Sequence, residues 1–332
     1  MATKKPLPPT PPELTLDEIL ARFATDEDAR LYLEAVRWQN GRFCPHCGNA
    51  NEARIYAITS NRKTEVRPGL YECAECRSQF TVTVGTVFES SKIPLRKWLV
   101  AYYLLCSSKK GMSAHQLYRM LKLGSYRTAW FMCHRIRYAM RDAFVTEKFV
   151  GTVEADETYI GGKAKNMHKA KRERLGIVRG RPGPESHKAP VVALVQRGGK
   201  VRSMHMPRVT AYNLKAVLDQ HVDRQSTLMT DESVSYQGPG ASFAGHQTVN
   251  HGAKEYVRGD VHVNTAEGFF SLLKRGITGV YHHVGKQHLG HYLSEFDFRY
   301  NRRTVTDGER TIDGIRKAEG KRMMLRRPKK AS

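Results

Sequence analysis

The sequence predicts a multidomain α/β protein. N-terminal helices lead into a zinc ribbon, a helical segment with a helix-turn-helix pattern follows, and an α/β domain completes the chain. Three observations carry this. Two Cys-x-x-Cys knuckles, Cys44-Pro-His-Cys47 and Cys73-Ala-Glu-Cys76, stand near the N-terminus. Helical periods joined by short turns fill residues 94–143. From residue 150, apolar β-branched runs alternate with helical stretches, the order of an α/β domain.

The knuckles are the most specific feature. Cys44, Cys47, Cys73 and Cys76 supply four thiolates in two pairs, enough to close a tetrahedron around Zn²⁺. Gly48 suits the tight turn after the first pair. Residues 48–72 are long enough for a β-hairpin, so the unit reads as a zinc ribbon. Two disulfides or four unrelated buried cysteines are the alternatives. His46, inside the first knuckle, is a weaker ligand candidate than the cysteines. A closed four-sulfur site is structural, and the ribbon is expected to unfold without its metal.

The chain has 332 residues and a formal net charge of +23. Such a surplus favours a polyanionic partner, with nucleic acid the first candidate. The N-terminus has no apolar core of a secretory signal. The longest apolar run, Trp98 to Cys106, is too short to span a bilayer, so no membrane partner is expected. Six cysteines, four in zinc spacing, suit a reducing cytosol, and Cys106 and Cys133 read as packed thiols.

Residues 1–13 read as a disordered Pro-rich tail. Residues 14–90 hold the helical lead-in and the ribbon. Thr15-Leu-Asp-Glu is a capping box opening one helix, and a second covers Asp26–Trp38. Thr81–Phe88 is expected to be β-rich. Residues 91–148 form a helical, DNA-binding segment. Residues 94–107 make a helix, Ser113 caps Ala114–Leu121, and Tyr126–Ala143 follows a turn at Leu123-Gly124-Ser125. The last helix carries Arg127, His134, Arg135, Arg137 and Arg141, and reads equally well as a DNA-contacting or a packing helix.

Residues 149–305 make the α/β domain. Strands are expected at Val150–Asp156, Pro190–Arg197, Val201–Pro207 and Thr227–Thr230. Helices are expected at Ala211–Val222, Val263–Gly276 and Lys286–Tyr300. Gly161–Pro184, rich in Gly, Lys and Arg, reads as a loop, either solvated or against a phosphate backbone. Residues 306–332 read as a basic C-terminal tail.

Three acids are placed to build a metal site. Asp156 ends one apolar strand and Asp231 another, while Glu267 lies on a helix with Lys274 two turns on, sharing its face. Phosphodiester chemistry needs charge neutralised on the attacking and leaving oxygens. Hard cations do this and take carboxylate oxygen ligands. Glu154 shares a strand face with Asp156 and rivals it. Glu157 and Glu232 are expected to point the other way. Asn264 rivals or assists Glu267.

Several stretches together resemble bacterial insertion-sequence DDE transposases of the ISXO-like group that carry an N-terminal zinc ribbon. They are Phe43-Cys-Pro-His-Cys-Gly, Asp156-Glu-Thr-Tyr-Ile-Gly-Gly-Lys163, Thr230-Asp-Glu-Ser and Val263-Asn-Thr-Ala-Glu-Gly-Phe-Phe-Ser-Leu-Leu-Lys-Arg-Gly276. Two more lie at Gly279–Leu289 and Glu295–Asn301, and the resemblance runs from about residue 14 to 305. It implies an RNase H-like catalytic domain over 149–305. It also implies Asp156, Asp231 and Glu267 as ligands of catalytic Mg²⁺ or Mn²⁺, with Asn264 open as the third, and Lys274 as the following basic residue. Candidate DNA contacts are Arg127, Arg135, Lys163, Lys274 and Arg275. The His282-His283 pair belongs to the same pattern and reads as a packing or DNA contact.

The expected activity is DNA cleavage and strand transfer at terminal inverted repeats, by a homo-oligomer assembled on double-stranded DNA. The expected location is the bacterial cytoplasm, on the nucleoid. A domesticated non-catalytic DNA-binding regulator and an RNase H-like nuclease are the alternatives.

Overall fold

The computed structural model describes residues 15–60, 65–142, 147–162, 166–174, 176 and 188–325. The chain divides into two compact units. The first is Met1–Arg141 with Arg302–Ser332, and the second is Asp142–Asn301. The expected Pro-rich tail, 1–13, and most of the Gly161–Pro184 loop lie outside the described residues, although Lys169–Arg174 is a short helix.

In the first unit, capping boxes open the helices α1 (Leu16–Arg22) and α2 (Asp26–Arg37). The Thr15 and Thr25 hydroxyls accept from backbone N–H groups three residues on, while Glu18 and Asp28 accept in return. The ribbon is a three-stranded antiparallel sheet of β1 (Ile55–Ala57), β2 (Tyr71–Cys73) and β3 (Gln79–Phe80). Trp38 seats it, with ring centroids 5.5 Å from Tyr71 and 6.3 Å from Phe80, both edge to face.

Thr81–Phe88 is not β structure, apart from one isolated bridge at Thr86. Its threonines close turns instead. Thr86 Oγ1 donates to Thr83 O at 2.6 Å and accepts from Phe88 N at 3.1 Å. Val82, Val87 and Phe88 are all buried, without the alternation a half-exposed strand requires.

The helices α3 (Leu95–Ser107), α4 (Ala114–Met120) and α5 (Tyr126–Met140) follow. α3 is buried from Trp98 to Cys106. Ser113 and Ser125 cap α4 and α5. The region expected to be a basic tail begins instead with a helix, Asp307–Arg316, opened by a Thr306–Glu309 capping box and packed on α2, α3 and α5. It buries Ile315, and Arg310 Nη1 donates to Cys106 O at 3.2 Å. Its apolar stripe needs a partner, which the first unit supplies.

The second unit is a five-stranded sheet. β4 (Thr152–Ile160) pairs antiparallel with β5 (Ala189–Gln196), and β5 with β6 (Val201–His205). On its other side β4 pairs parallel with β7 (Thr227–Asp231), and β7 with β8 (Gly245–Val249). Numbering helices through the whole chain makes Lys169–Arg174 α6 and Asp307–Arg316 α11. α7 (Ala211–His221) and α8 (Val234–Gly240) cover one face of the sheet, around Val153, Ala155, Leu194 and Leu228. α9 (Asn264–Gly276) and α10 (Leu289–Asn301) cover the other, around Val191, Ala193 and Val195. Both faces are thus closed, as a sheet with parallel strands requires. This agrees with the α/β class expected, although α8 and β8 have no counterpart in the sequence reading.

Candidate active site and metal centre

β4 places its acids by strand alternation. Val153 and Ala155 face α7 and α8, so Glu154 and Asp156 face α9. The parallel ladder to β7 pairs Glu154 with Met229 and ends there. Two residues further along each strand stand Asp156 and Asp231, at one register, on the same face, where the two strands part. β4 itself runs on to Ile160 against β5, so Asp156 is not at the strand's end but at the end of its parallel pairing.

α9 lies across that face. It buries Ala266, Phe269, Phe270 and Leu273 and leaves Glu267 and Lys274 on an exposed flank. A cleft of about 410 Å³ is lined by Asp156, Glu157, Glu267, Phe270, Lys274 and Arg275. Neither Asn264, at the first turn of α9, nor Asp231, at the end of β7, lines it.

Burial pushes the Asp156 carboxyl up to about 7, and the neighbouring charges of Glu157, Asp231 and Glu267 push the same way. A hydrogen bond from Glu157 N, at 2.7 Å, opposes them. These hard-oxygen donors have the chemistry a divalent cation takes, although among the described residues only the ribbon cysteines bring three or more ligand atoms within 4.8 Å of one another. Glu157 turns its carboxylate to Tyr236 Oη, which donates at 2.9 Å from the opposite face. Glu232 accepts from His251 N and Gly252 N, both at 2.9 Å, and His251 Nδ1 lies 3.9 Å from Glu267 Oε1.

The four ribbon cysteines bring their sulfurs within 4.8 Å of one another. Cys44 Sγ to Cys76 Sγ and Cys47 Sγ to Cys73 Sγ are each 3.7 Å. Tetrahedral Zn–S bonds of about 2.3 Å demand S···S near 3.8 Å, so the quartet fits Zn²⁺. Disulfides do not form, since all four cysteines are free. The two knuckles repeat one backbone turn: Gly48 N donates to Cys44 O at 2.9 Å and Arg77 N to Cys73 O at 2.8 Å. Both turn residues have positive φ, 79° at Gly48 and 55° at Arg77. His46 lies outside the quartet, its Nε2 3.4 Å from Gln79 O.

Two family descriptions match the chain. An ISXO2-like transposase domain matches residues 148–301, and a transposase zinc-ribbon domain matches residues 24–79. An uncharacterized protein in transposable element ISH50 of Halobacterium salinarum is 31% identical over 281 residues, which cover 83% of this chain and 91% of that protein. The chain belongs to the ISXO2-like transposase family.

The transposase presents its candidate DNA contacts unevenly. Arg127, Lys274 and Arg275 are exposed, and Lys163 lies outside the described residues. Arg135 is a correction. It is 5% exposed, its guanidinium stacks over Trp98 and Phe131, and its Nη2 donates to Glu89 O. Burial of α5 on α3 gives Arg135 to packing, and His134 and Arg137 are buried with it. His282 and His283 are exposed, after a π turn at Ile277–Tyr281.

Glu154 has a place in the transposase that spacing alone did not reveal. It is fully buried and accepts from Thr265 N, Thr265 Oγ1 and Ala266 N of α9 at 2.8, 2.9 and 3.0 Å. Arg197 Nε and Nη2 donate to it at 3.1 and 3.0 Å. With its oxygens so engaged, Glu154 no longer rivals Asp156 for a metal.

Proposed function

We propose that this transposase is catalytically active. It binds terminal inverted repeats of an insertion sequence, cleaves DNA there and joins the freed end to target DNA. The observation that supports this best is that Asp231, on the adjacent parallel strand, and Glu267 both lie close enough to act on Asp156, at a cleft that Lys274 also lines.

In this reading Asp156, Asp231 and Glu267 hold Mg²⁺ or Mn²⁺. Glu267 is preferred to Asn264 because its carboxylate, like that of Asp231, lies close enough to act on the Asp156 carboxyl. When bound, the cations offset charge on the scissile phosphate and on the leaving oxygen. Lys274 and Arg275, at the same cleft, hold phosphodiester oxygens in place by charge-assisted hydrogen bonds. Water adds to phosphorus and the 3′-oxygen leaves as a hydroxyl. That hydroxyl then attacks a target phosphodiester and displaces another 3′-oxygen. One P–O bond forms as one breaks, so joining needs no energy source and no covalent protein intermediate.

The zinc ribbon and the α4–α5 pair, with Arg127 exposed at the start of α5, are assigned to repeat recognition. Two element ends must meet for joining, which calls for a multimer on double-stranded DNA. The place of action is then the cytoplasm, on the nucleoid. No described helix is long and apolar enough to cross a membrane.

Strand transfer tests the reading. Purified protein, Mg²⁺ and a fragment bearing the element's own terminal repeat should give joined products that vanish in Asp156→Ala and Asp231→Ala. Cleavage without joining would make the protein a nuclease. Tight repeat binding with no chemistry, indifferent to both substitutions, would make it a domesticated DNA-binding protein.

A further inference from the structure

Glu154 occupies an unusual place for a carboxylate. It is wholly inside the second unit, one same-face step along β4 from Asp156, a rise of about 6.6 Å. Its oxygens receive the N–H groups of Thr265 and Ala266, in the first turn of α9. Val263, the residue preceding that helix, offers no side-chain cap of its own. Glu154 therefore caps from a different strand, where a negative charge also favours the helix N-terminus. The residue after Ala266, whose N–H it holds, is Glu267.

Arg197 completes the clamp. While Nε and Nη2 grip Glu154, Nη1 donates to Asp260 O at 2.8 Å and Nη2 to His262 O at 3.2 Å, in the segment that enters α9. Nη2 also lies 3.1 Å from Met229 Sδ on β7, two residues before Asp231. His262 Nδ1 is 3.3 Å from Glu154 Oε1. One carboxylate and one guanidinium thus join β4, β7 and the start of α9, each within two residues of a proposed metal ligand.

We propose that Glu154, held by Arg197, is the positioning residue of the catalytic centre: it fixes α9 on β4 and so sets the reach between Glu267 and Asp156. Glu154 touches neither metal nor DNA. Its effect passes through the two ligands, in the way that groups bonded behind a metal's ligands tune affinity. The inference rests on the metal-binding reading of Asp156, Asp231 and Glu267.

Mn²⁺ binding to the zinc-loaded full chain, followed by calorimetry without DNA, tests it. Glu154→Gln keeps the shape and puts an amide donor among donors. It should weaken Mn²⁺ about 10–100-fold, while zinc content and repeat affinity stay unchanged. Thr265→Val removes one donor and should weaken Mn²⁺ about threefold, a fraction of that loss. In strand transfer, high Mn²⁺ should restore the Glu154→Gln rate, which a general folding defect would not allow. Mn²⁺ affinity within twofold of wild type in both variants, with Asp156→Ala abolishing binding, would overturn the clamp and leave the metal site standing. If Glu154→Gln fails to fold, Thr265→Val decides by the same criterion. An Asp156→Ala isotherm identical to wild type would overturn the metal site itself.

Discussion

Asp156 carries a pH dependence that its neighbours dictate. Its carboxyl sits at about 7 when folded, against 3.8 for an ordinary aspartate. A raised acid binds its proton more tightly in the folded chain. The stability it contributes is whole below about pH 4 and is lost as pH rises toward 7. Asp156→Asn should therefore match wild type at pH 4 and exceed it at pH 8, by on the order of 2 kcal/mol in zinc-loaded protein free of other divalent cations. Thermal melts at the two pH values check this. Since the proton must leave for a cation to bind, Mn²⁺ affinity should rise about tenfold between pH 6 and pH 8. Glu267→Ala should abolish strand transfer and Asn264→Ala should reduce it by less than about tenfold, read from the same joining assay; the reverse order would exchange their roles. The cysteines were legible because a knuckle is local. Asp156 and Asp231 stood out because each follows a short apolar run in the sequence. Glu154 was visible only as a rival ligand, because its partners Thr265 and Ala266 lie far along the chain. Arg135 misled because a helix buried on most sides shows no solvent face in its periodicity.

Among the elements, β6 shows how an edge is managed. Among the described residues its outer side has no strand partner, and α10 supplies side chains instead. Val201 N donates to Asn301 Oδ1 at 2.7 Å and Asn301 Nδ2 to Val201 O at 2.9 Å. Asp297 accepts from Ser203 N at 2.8 Å and Ser203 Oγ at 2.6 Å. A helix covering an edge in this way blocks strand addition by another chain. Asn301→Ala should lower stability by about 1–3 kcal/mol, as two backbone groups lose their partners, and should promote aggregation. Urea titration and light scattering measure both. α7 and α9 were readable within one residue, whereas α5 and α10 differ from their expected bounds by three residues at one end. α8 was not, because Gly238 and Pro239 interrupt its pattern. β8 is too polar to read as a strand. α11 did carry a signal, the capping box at Thr306 and Glu309, but its basic surroundings drew attention to charge instead.

The whole molecule has two compact units and a net charge of +23, which favours a polyanionic partner. Repeat affinity should fall about 10³-fold between 50 and 200 mM salt if about six phosphates are contacted. A filter-binding series over that range measures the slope. Cys73→Ser, or removal of zinc, should melt the ribbon and abolish repeat binding while the α/β unit keeps its own unfolding transition. Two calorimetric transitions with only the first displaced would be the result. Chain order adds a consequence for synthesis. α11 belongs to the first unit but leaves the ribosome only after the whole second unit has been made. At about 5–20 residues per second, the first unit waits on the order of ten seconds or more for its last helix. A nascent chain therefore has its α/β unit complete before the unit that holds the ribbon. A message cut short just after residue 301 yields the former without a finished copy of the latter.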